Sequence, residues 1–383
     1  MSDTLEVSAN DRIRRHAIVL IPGFRREERF FRRDILVRNL LMIERFPLCE
    51  SGEVEVTGEQ GKRLVSRPLR RNDAAAGQEA GSPDAVSEID IFEAFWADMI
   101  PESADRTPWQ RLLWGFEIIS YWVFNWRSWT AFGTSRYITL GLFAGGTLLV
   151  LWYISLALLA AQAIGQNPPE FLKAVPVLAP VFTAFVSTAA KFGSWQLWIV
   201  IALILPFLKV DELIMLASFI KDYFQNKPDE TEVGLRHRLR KRVQATLENV
   251  YESDYDEVTV LAHSFGTVLA IDLMADWPHL RDLSRTRLVT MGSPAAVLAH
   301  RSPWLAQEIR RLSERKEIAA WDDYYANTDW LCTAIPGRDN FTGAGAGHQI
   351  DFETRFLEKL TGQTHLLYYR DGRLLEDLVQ VRS

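Results

Sequence analysis

Cysteine is scarce in this chain of 383 residues, and several familiar cofactor and metal motifs are missing. The two cysteines, Cys49 and Cys332, lie far apart and fit neither a disulfide framework nor a zinc site. The sequence has no Gly-x-x-x-x-Gly-Lys loop, His-Glu-x-x-His helix, Cys-x-x-Cys pair or dinucleotide glycine fingerprint. We therefore expect no metal ion, no nucleotide cofactor and a reducing compartment.

The chain also lacks a basic excess and an apolar leading segment. Its net charge of −6 gives no support for nucleic-acid binding, and we expect none. The first fifteen residues, MSDTLEVSANDRIRR, are polar, so we expect no secretory signal peptide. Hydrophobic residues make up 48% of the chain, which is enough for a sizeable folded core.

Charge is missing from a long central stretch. Residues 137–169 carry none, and two further uncharged blocks follow at 174–190 and 192–208. A bilayer core of about 30 Å needs a helix of about 20 residues. We predict a membrane hairpin with spans at about 138–162 and 192–208, while the prolines in the middle block favour a broken or interfacial piece. A buried pair of core helices is the alternative.

Cations flank this central stretch on both sides. By the positive-inside rule both flanks are cytoplasmic, so the number of crossings is even and the rest of the chain lies on the cytoplasmic side of the membrane. The flanking cations are Arg111, Arg127 and Arg136 before it and Lys209, Lys221 and Lys227 after it. Tryptophans before the first span suit a headgroup layer or the core of a helical cap: Trp109, Trp114, Trp122, Trp126 and Trp129.

Short apolar runs elsewhere predict buried strands, and helical patterns separate the later ones. Strands alternating with helices indicate an α/β fold with a mainly parallel sheet covered by helices on both faces. The predicted strands are 16–21, 89–96, 258–262 and 287–291, the clearest helix is 232–251, and 70–84 is predicted as a surface loop.

One stretch, VTVLAHSFGTVLAIDLMADW at 258–277, predicts a strand, a sharp turn and a helix without an intervening loop. Such a turn exposes the Ser264 hydroxyl at the carboxyl edge of the sheet, and the small residues Ala262 and Gly266 let strand and helix approach closely. The helix N-terminus also brings N–H groups to the place where an oxyanion would form. A strand-to-helix turn without chemistry is the alternative.

This Ala-His-Ser-Phe-Gly sequence resembles the nucleophile elbow of the α/β-hydrolase superfamily, in its lipase and esterase branch. The usual form is Gly-x-Ser-x-Gly, so Ala262 replaces the first glycine. The resemblance covers residues 14–96 and 254–377. It implies the α/β-hydrolase fold and ester cleavage by a serine, a histidine and an acid that follow one another in the order Ser, Asp or Glu, His.

The acid is expected on a loop after a strand that follows the elbow. A short strand is predicted at 324–327, and Asp329 comes directly after it. Asp339 is the runner-up, while Asp322 and Asp323 are expected to precede the strand. A loop or helix-cap role remains the alternative for any of these aspartates.

The base is expected after the final strand. The only histidines after Asp329 in the sequence are His348 and His365, and residues 350–356 are predicted as the final strand. His365 then follows it and begins a His-x-x-Tyr sequence similar to that of related hydrolases, so we favour His365 over His348. His263, inside the elbow, is expected to support the turn.

The oxyanion hole is expected from two backbone amides. Pro22-Gly23-Phe24 ends the first predicted strand and is similar to the turn that supplies such an amide in the superfamily, so we assign the donors to Phe24 and Phe265. An arginine cluster follows and is expected either to meet lipid phosphates or an anionic substrate, or to form a solvated basic face: Arg25, Arg26, Arg29, Arg32 and Arg33.

These observations predict a hydrolase domain interrupted by a membrane insertion. Residues 1–100 and 228–383 would form the hydrolase domain, and 101–227 an aromatic-rich helical insertion that carries the hairpin. The expected function is a membrane-anchored serine hydrolase whose substrate is an acyl or lipid ester and whose surroundings are membrane lipids. A hydrolase-like membrane scaffold that binds a partner and turns over little substrate is the alternative.

Overall fold

The computed structural model describes most of the chain outside the central apolar stretch. The described residues are 13–66, 87–101, 108–122, 124–134, 210–228, 233–335, 345–355 and 362–380, together with positions 146, 147, 150, 180, 183, 184, 187, 358 and 359. The chain divides into two units, of which the first comprises Met1–Ile100, Gly133–Ile138 and Asp222–Ser383, and the second Pro101–Phe132 and Thr139–Lys221.

The first unit is built on an eight-stranded sheet. Its strands are β1 (Arg14–Ile21), β2 (Leu48–Val56), β3 (Glu59–Ser66), β4 (Ser87–Glu93), β5 (Glu257–His263), β6 (Thr286–Met291), β7 (Ala320–Tyr325) and β8 (Gly347–Gln349). Their order is β2-β3-β4-β1-β5-β6-β7-β8. The neighbours from β4 through β1 to β8 pair in parallel, whereas β2 with β3 and β3 with β4 pair antiparallel. The α/β fold with a mainly parallel sheet is therefore confirmed.

The helices of the described residues follow in chain order. They are α1 (Phe31–Leu40), α2 (Pro108–Trp122), α3 (Trp126–Thr130), α4 (Val210–Gln225), α5 (Leu235–Tyr251), α6 (Phe265–Met274), α7 (Leu280–Ser284), α8 (Ala295–Arg301), α9 (Pro303–Glu314) and α10 (Gly372–Val379). Short 3₁₀ helices lie at Ala97–Met99, Ala131–Gly133 and Gln363–Arg370. The predicted helix at 232–251 corresponds to α5.

The central strands are buried along nearly their whole length, which explains their continuous apolar sequences. On one face, side chains of β1, β5 and β6 pack against α1 and α10. Each fully buried aliphatic side chain of this kind contributes about 1.5–3 kcal/mol. The core cluster includes Ile18, Leu20, Leu36, Val37, Leu261, Val289, Met291, Leu374 and Leu378.

A hairpin that the sequence patterns did not predict extends the sheet at β2 and β3. Thr57 and Gly58 connect the two strands, and both have positive φ, at 47° and 83°. Two consecutive residues with positive φ give a turn whose twist matches that of the flanking strands. Most β2 residues are exposed, so no apolar run reveals the strand. The predicted surface loop at 70–84 lies outside the described residues.

Two strand predictions near the carboxyl end were wrong. β7 begins at Ala320, so Asp322 and Asp323 lie within this strand and do not precede it. Residues 350–355 form no strand, and β8 contains His348. The error has a physical reason, because a buried carboxylate is costly unless it is paired, and these two aspartates find their partners only in the folded protein.

The predicted membrane segments remain predictions. Nearly all of 138–162 and the whole of 192–208 lie outside the described residues. Within the part of the chain that the structure describes, no helix combines the length and apolarity needed to span a bilayer. In the second unit, the Trp122 indole donates to the Ala217 carbonyl at 3.1 Å, while Trp126 is 74% exposed.

A buried charge cluster joins β6, β7 and α10. Arg287 is 2% exposed, and its Nε donates to Asp322 Oδ2 at 2.9 Å. Its guanidinium also donates to the backbone carbonyl of Asp377 at 2.6 Å and to the Asp377 carboxylate, which accepts from the Tyr324 hydroxyl as well. Arg287 therefore pairs with two carboxylates at once.

Replacing this arginine should destabilise the protein strongly. In Arg287→Leu, the buried Asp322 and the half-buried Asp377 both lose this cation, so we expect the free energy of unfolding in urea to fall by about 3–5 kcal/mol. Arg45→Leu is the control, because Arg45 makes an exposed ion pair with Glu376 at 3.3 Å and should change stability by at most about 1 kcal/mol. Equal losses in the two variants would contradict the importance of the buried cluster.

Candidate active site

The order of the strands in the sheet reverses at β1. From β1 the chain continues to the β4 side, and later returns to β5 on the other side of β1. In open parallel sheets, ligands bind at the carboxyl ends of the strands where the strand order reverses in this way. Here β1 is followed by Pro22-Gly23-Phe24 and β5 by Ser264.

Ser264 occupies a strained backbone conformation between β5 and α6. Its φ is 54° and its ψ is −127°, a region that costs a residue with a side chain about 1–3 kcal/mol. Three contacts hold it there. Its N–H donates to the Met291 carbonyl at 3.0 Å, and its own carbonyl accepts from the backbone N–H and the hydroxyl of Thr267, at 3.0 and 2.6 Å. The chain therefore makes the sharp strand-to-helix turn that the sequence predicts.

Two glycines allow this turn to lie directly against the end of β1. A Cβ at Gly266 would lie 2.4 Å from the Ile21 carbonyl oxygen, and a Cβ at Gly23 would lie 2.7 Å from the Ser264 Cβ. Neither site has room for a side chain. Because Ala262 is fully buried in β5 without such a conflict, alanine serves in place of the usual first glycine.

The structure brings Asp329 and His365 together. The His365 imidazole Nδ1 lies 2.6 Å from Asp329 Oδ2, and Asp329 Oδ1 accepts from the Leu331 N–H at 3.0 Å. Burial alone would raise the pKa of the Asp329 carboxyl, but attraction to and hydrogen bonding with His365 lower this pKa to about 2. The carboxylate is thus ionised at neutral pH, so His365 Nδ1 is the donor and Nε2 is left as an acceptor.

His365 and Ser264 adjoin the same turn after β6. A Cβ at Gly292 would lie 3.1 Å from the His365 Cε1, and Ser264 is bonded to Met291, the preceding residue. Gly292 has a φ of 61°. The described contacts include no hydrogen bond between the Ser264 hydroxyl and His365. Such bonds are often long in free enzymes and shorten when substrate binds.

The other predicted acids and base lie elsewhere. His348 is in β8, where its Nε2 lies 3.2 Å from Asp322 Oδ1 and its ring stacks on Tyr324. Asp323 accepts from the Thr290 hydroxyl at 2.8 Å and from the Ile335 N–H at 3.0 Å, so it supports the loop after β7. Asp339 lies outside the described residues.

The two assigned oxyanion donors flank Ser264. Phe265 is the first residue of α6, and its ring packs against Trp96 and Tyr223 with centroid distances of 6.0 and 5.2 Å. Phe24 directly follows Gly23. The Trp96 indole donates to the Pro22 carbonyl at 3.0 Å and so holds this turn.

Three arginines of the cluster after Phe24 form ion pairs with nearby carboxylates. Arg32 and Arg33 are buried, so they do not belong to a solvated basic face. Arg32 Nε lies 2.5 Å from a Glu27 carboxylate oxygen, and Arg33 Nε lies 3.0 Å from Asp34 Oδ1. The exposed Arg25 side chain pairs with the same glutamate at 3.1 Å.

Sequence reasoning did not single out several supporting residues. The Thr267 and Ser293 hydroxyls lie 2.7 Å apart beneath the elbow, and the Cys332 thiol lies 3.0 Å from the Tyr368 hydroxyl beside Asp329. Burial raises the pKa of the Cys332 thiol well above its usual value, so the thiol stays neutral. These contacts join residues 26 and 36 positions apart in the chain, so no local sequence pattern indicates them.

Comparison with known proteins adds no assignment, because no family model, curated protein or solved structure matches the chain. Among the described residues, no group of three or more His, Cys, Asp or Glu side chains is placed to hold a metal ion. The geometry at Ser264, Asp329 and His365 is therefore what indicates a function.

Gly23→Ala should damage this site while the protein remains folded. The new Cβ would have to move away from the Ser264 Cβ, which separates the turn after β1 from Ser264. We expect at least a tenfold lower rate of Ser264 modification by a fluorophosphonate. Gly372→Ala is the control, because a Cβ there meets nothing within 4 Å. Unchanged reactivity in Gly23→Ala would show that the close approach is unimportant.

Proposed function

We propose that this protein is a membrane-anchored serine hydrolase of the α/β-hydrolase superfamily that cleaves an acyl or lipid ester. The observation that carries the proposal is the ionised Asp329 bonded to His365 next to the strained Ser264, at the switch point of a parallel sheet. One fold can host many functions, so the arrangement of these side chains, and not the fold, indicates the chemistry.

In the proposed reaction, Ser264 Oγ forms a bond to the ester carbonyl carbon while His365 Nε2 accepts the hydroxyl proton. The carbonyl oxygen becomes an oxyanion that accepts hydrogen bonds from the Phe24 and Phe265 amides. When this intermediate collapses, the bond to the alcohol oxygen breaks and His365 returns the proton to the leaving alcohol. Water then repeats the sequence on the acyl-enzyme and releases the acid.

Each supporting group has a defined electrostatic task. Asp329 stays ionised and stabilises the imidazolium that forms on His365 during proton transfer. The N-terminus of α6 places a partial positive charge near the developing oxyanion. Loss of one oxyanion donor typically costs about 2.7–4 kcal/mol of barrier lowering.

Membrane anchoring is proposed from the uncharged segments at 138–162 and 192–208. A hairpin there would hold the hydrolase domain on the cytoplasmic side, where acyl chains could enter from the bilayer. Each buried methylene contributes about 0.8 kcal/mol to binding. We expect the protein to stay in the membrane fraction after alkaline carbonate and a reporter after Ser383 to be cytoplasmic. Release by carbonate, or an external reporter, would refute this part.

The hydrolase proposal predicts a covalent reaction at one serine. A fluorophosphonate should label the full-length protein in detergent, and mass spectrometry should find the adduct on Ser264. Ser264→Ala should abolish the labelling, because Ser264 is the hydroxyl at the turn beside the carboxylate-oriented imidazole of His365.

The control is Ser284→Ala, which removes an exposed hydroxyl on α7 and should be labelled like the unchanged protein. Labelling that survives in Ser264→Ala would contradict the assignment of the nucleophile. Complete absence of labelling in folded protein, in detergent and in liposomes, would favour the hydrolase-like scaffold, for which the missing Ser264–His365 hydrogen bond is the supporting observation.

A further inference from the structure

His263 joins the nucleophile turn to the segment that carries the base. It is 3% exposed, and its Nε2 lies 2.8 Å from the backbone carbonyl of His365. A carbonyl oxygen only accepts, so Nε2 carries the proton and donates. This bond connects residues 102 positions apart in the chain, directly beside Ser264.

The ring of His263 is fixed on several sides. It packs on the His365 ring with centroids 4.7 Å apart, and on the Tyr369 and Tyr368 rings at 5.0 and 6.2 Å. On the side of β1, a Cβ at Gly23 would lie 3.1 Å from the His263 Nδ1. The imidazole therefore lies against the turn after β1 and against the 3₁₀ helix Gln363–Arg370.

The charges around His263 keep the ring neutral. Burial lowers the pKa of His263 well below its usual value, and the His365 ring lowers it further. Arg32, which lies over the Tyr369 ring at 5.4 Å, acts in the same direction, whereas Asp329 and the bond to the His365 carbonyl oppose it. A neutral ring with its proton on Nε2 has one tautomer, so the bond to His365 persists at neutral pH.

We propose that His263 is a positioning residue for the hydrolysis, because its hydrogen bond to the His365 carbonyl holds the base-bearing segment at its working distance from Ser264. Asp329 orients the imidazole through Nδ1, while His263 fixes the backbone of the same residue. This inference rests on the proposed function. Its physical basis is that a displacement of 1 Å in a catalytic group can cost about 10²-fold in rate.

The experiment compares variants of the full-length protein in detergent with p-nitrophenyl butyrate as the probe. His263→Phe keeps a ring without the donor, and His263→Asn has an amide too short to reach the carbonyl. We expect kcat to fall at least tenfold in both, with KM changed less than twofold. His263→Gln restores an amide donor near the Nε2 position and should recover kcat to within about threefold.

His16→Phe is the matched control. His16 is another buried imidazole, bonded through Nε2 to the Thr259 hydroxyl at 2.9 Å, and it lies in the first half of β1 away from the catalytic edge. It should lower the melting temperature while kcat stays within twofold. This control distinguishes the effect of losing any buried imidazole from the effect of losing the hydrogen bond between His263 and the His365 carbonyl.

The outcomes distinguish this inference from the proposed function. If the unchanged protein neither hydrolyses the probe nor labels at Ser264, the proposed function fails and the inference fails with it. If the unchanged protein is active but a folded His263→Phe or His263→Asn keeps kcat within twofold, only the inference is overturned. A His263→Gln variant as impaired as a folded His263→Asn would also overturn it, since the donor would then not matter.

Discussion

Close backbone packing around Ser264 is the constraint on which the rest of the site depends. The serine keeps a positive φ of 54° because neighbouring strands restrain it from both sides. Gly23 and Gly266 allow the turn to touch the end of β1, and the Met291 carbonyl holds its N–H from β6. A strained conformation persists only where the surrounding structure determines it, so the sheet supplies the energy that keeps this hydroxyl in place.

Burial and neighbouring charges set the protonation states of Asp329 and His263 beside Ser264. Burial opposes ionisation of Asp329, yet the adjacent His365 more than compensates, and the carboxylate stays charged where it can stabilise an imidazolium. The neighbouring imidazole of His263 shows the opposite balance, because burial and like charge keep it neutral. Two histidine rings 4.7 Å apart thus have different partners and different tasks. A charged carboxylate and a neutral imidazole on either side of His365 suit the proposed transfer of a proton from Ser264 to His365.

The distribution of polar groups explains which predictions failed. Short strands with buried carboxylates do not look like strands in a sequence, because the residues that pair with them are far away in the chain. Arg287 in β6 stabilises Asp322 in β7, and Thr290 binds Asp323. The β2–β3 hairpin was not predicted for a different reason. Most residues of the edge strand β2 are exposed, so its sequence carries no apolar pattern.

The sequence by itself determined the local features: the continuous apolar strands, the strand-turn-helix around Ser264, and the ordering of serine, acid and base along the chain. These features follow from steric preferences between neighbouring residues and from hydrophobic periodicity, and both can be read directly from the sequence. The sequence narrowed the proposed base to two histidines and favoured His365, and the tertiary structure then placed His365 beside Asp329 and His348 beside Asp322. Which side chains meet at the edge of a sheet depends on the packing of segments that are far apart in the chain, and no local sequence pattern encodes such contacts.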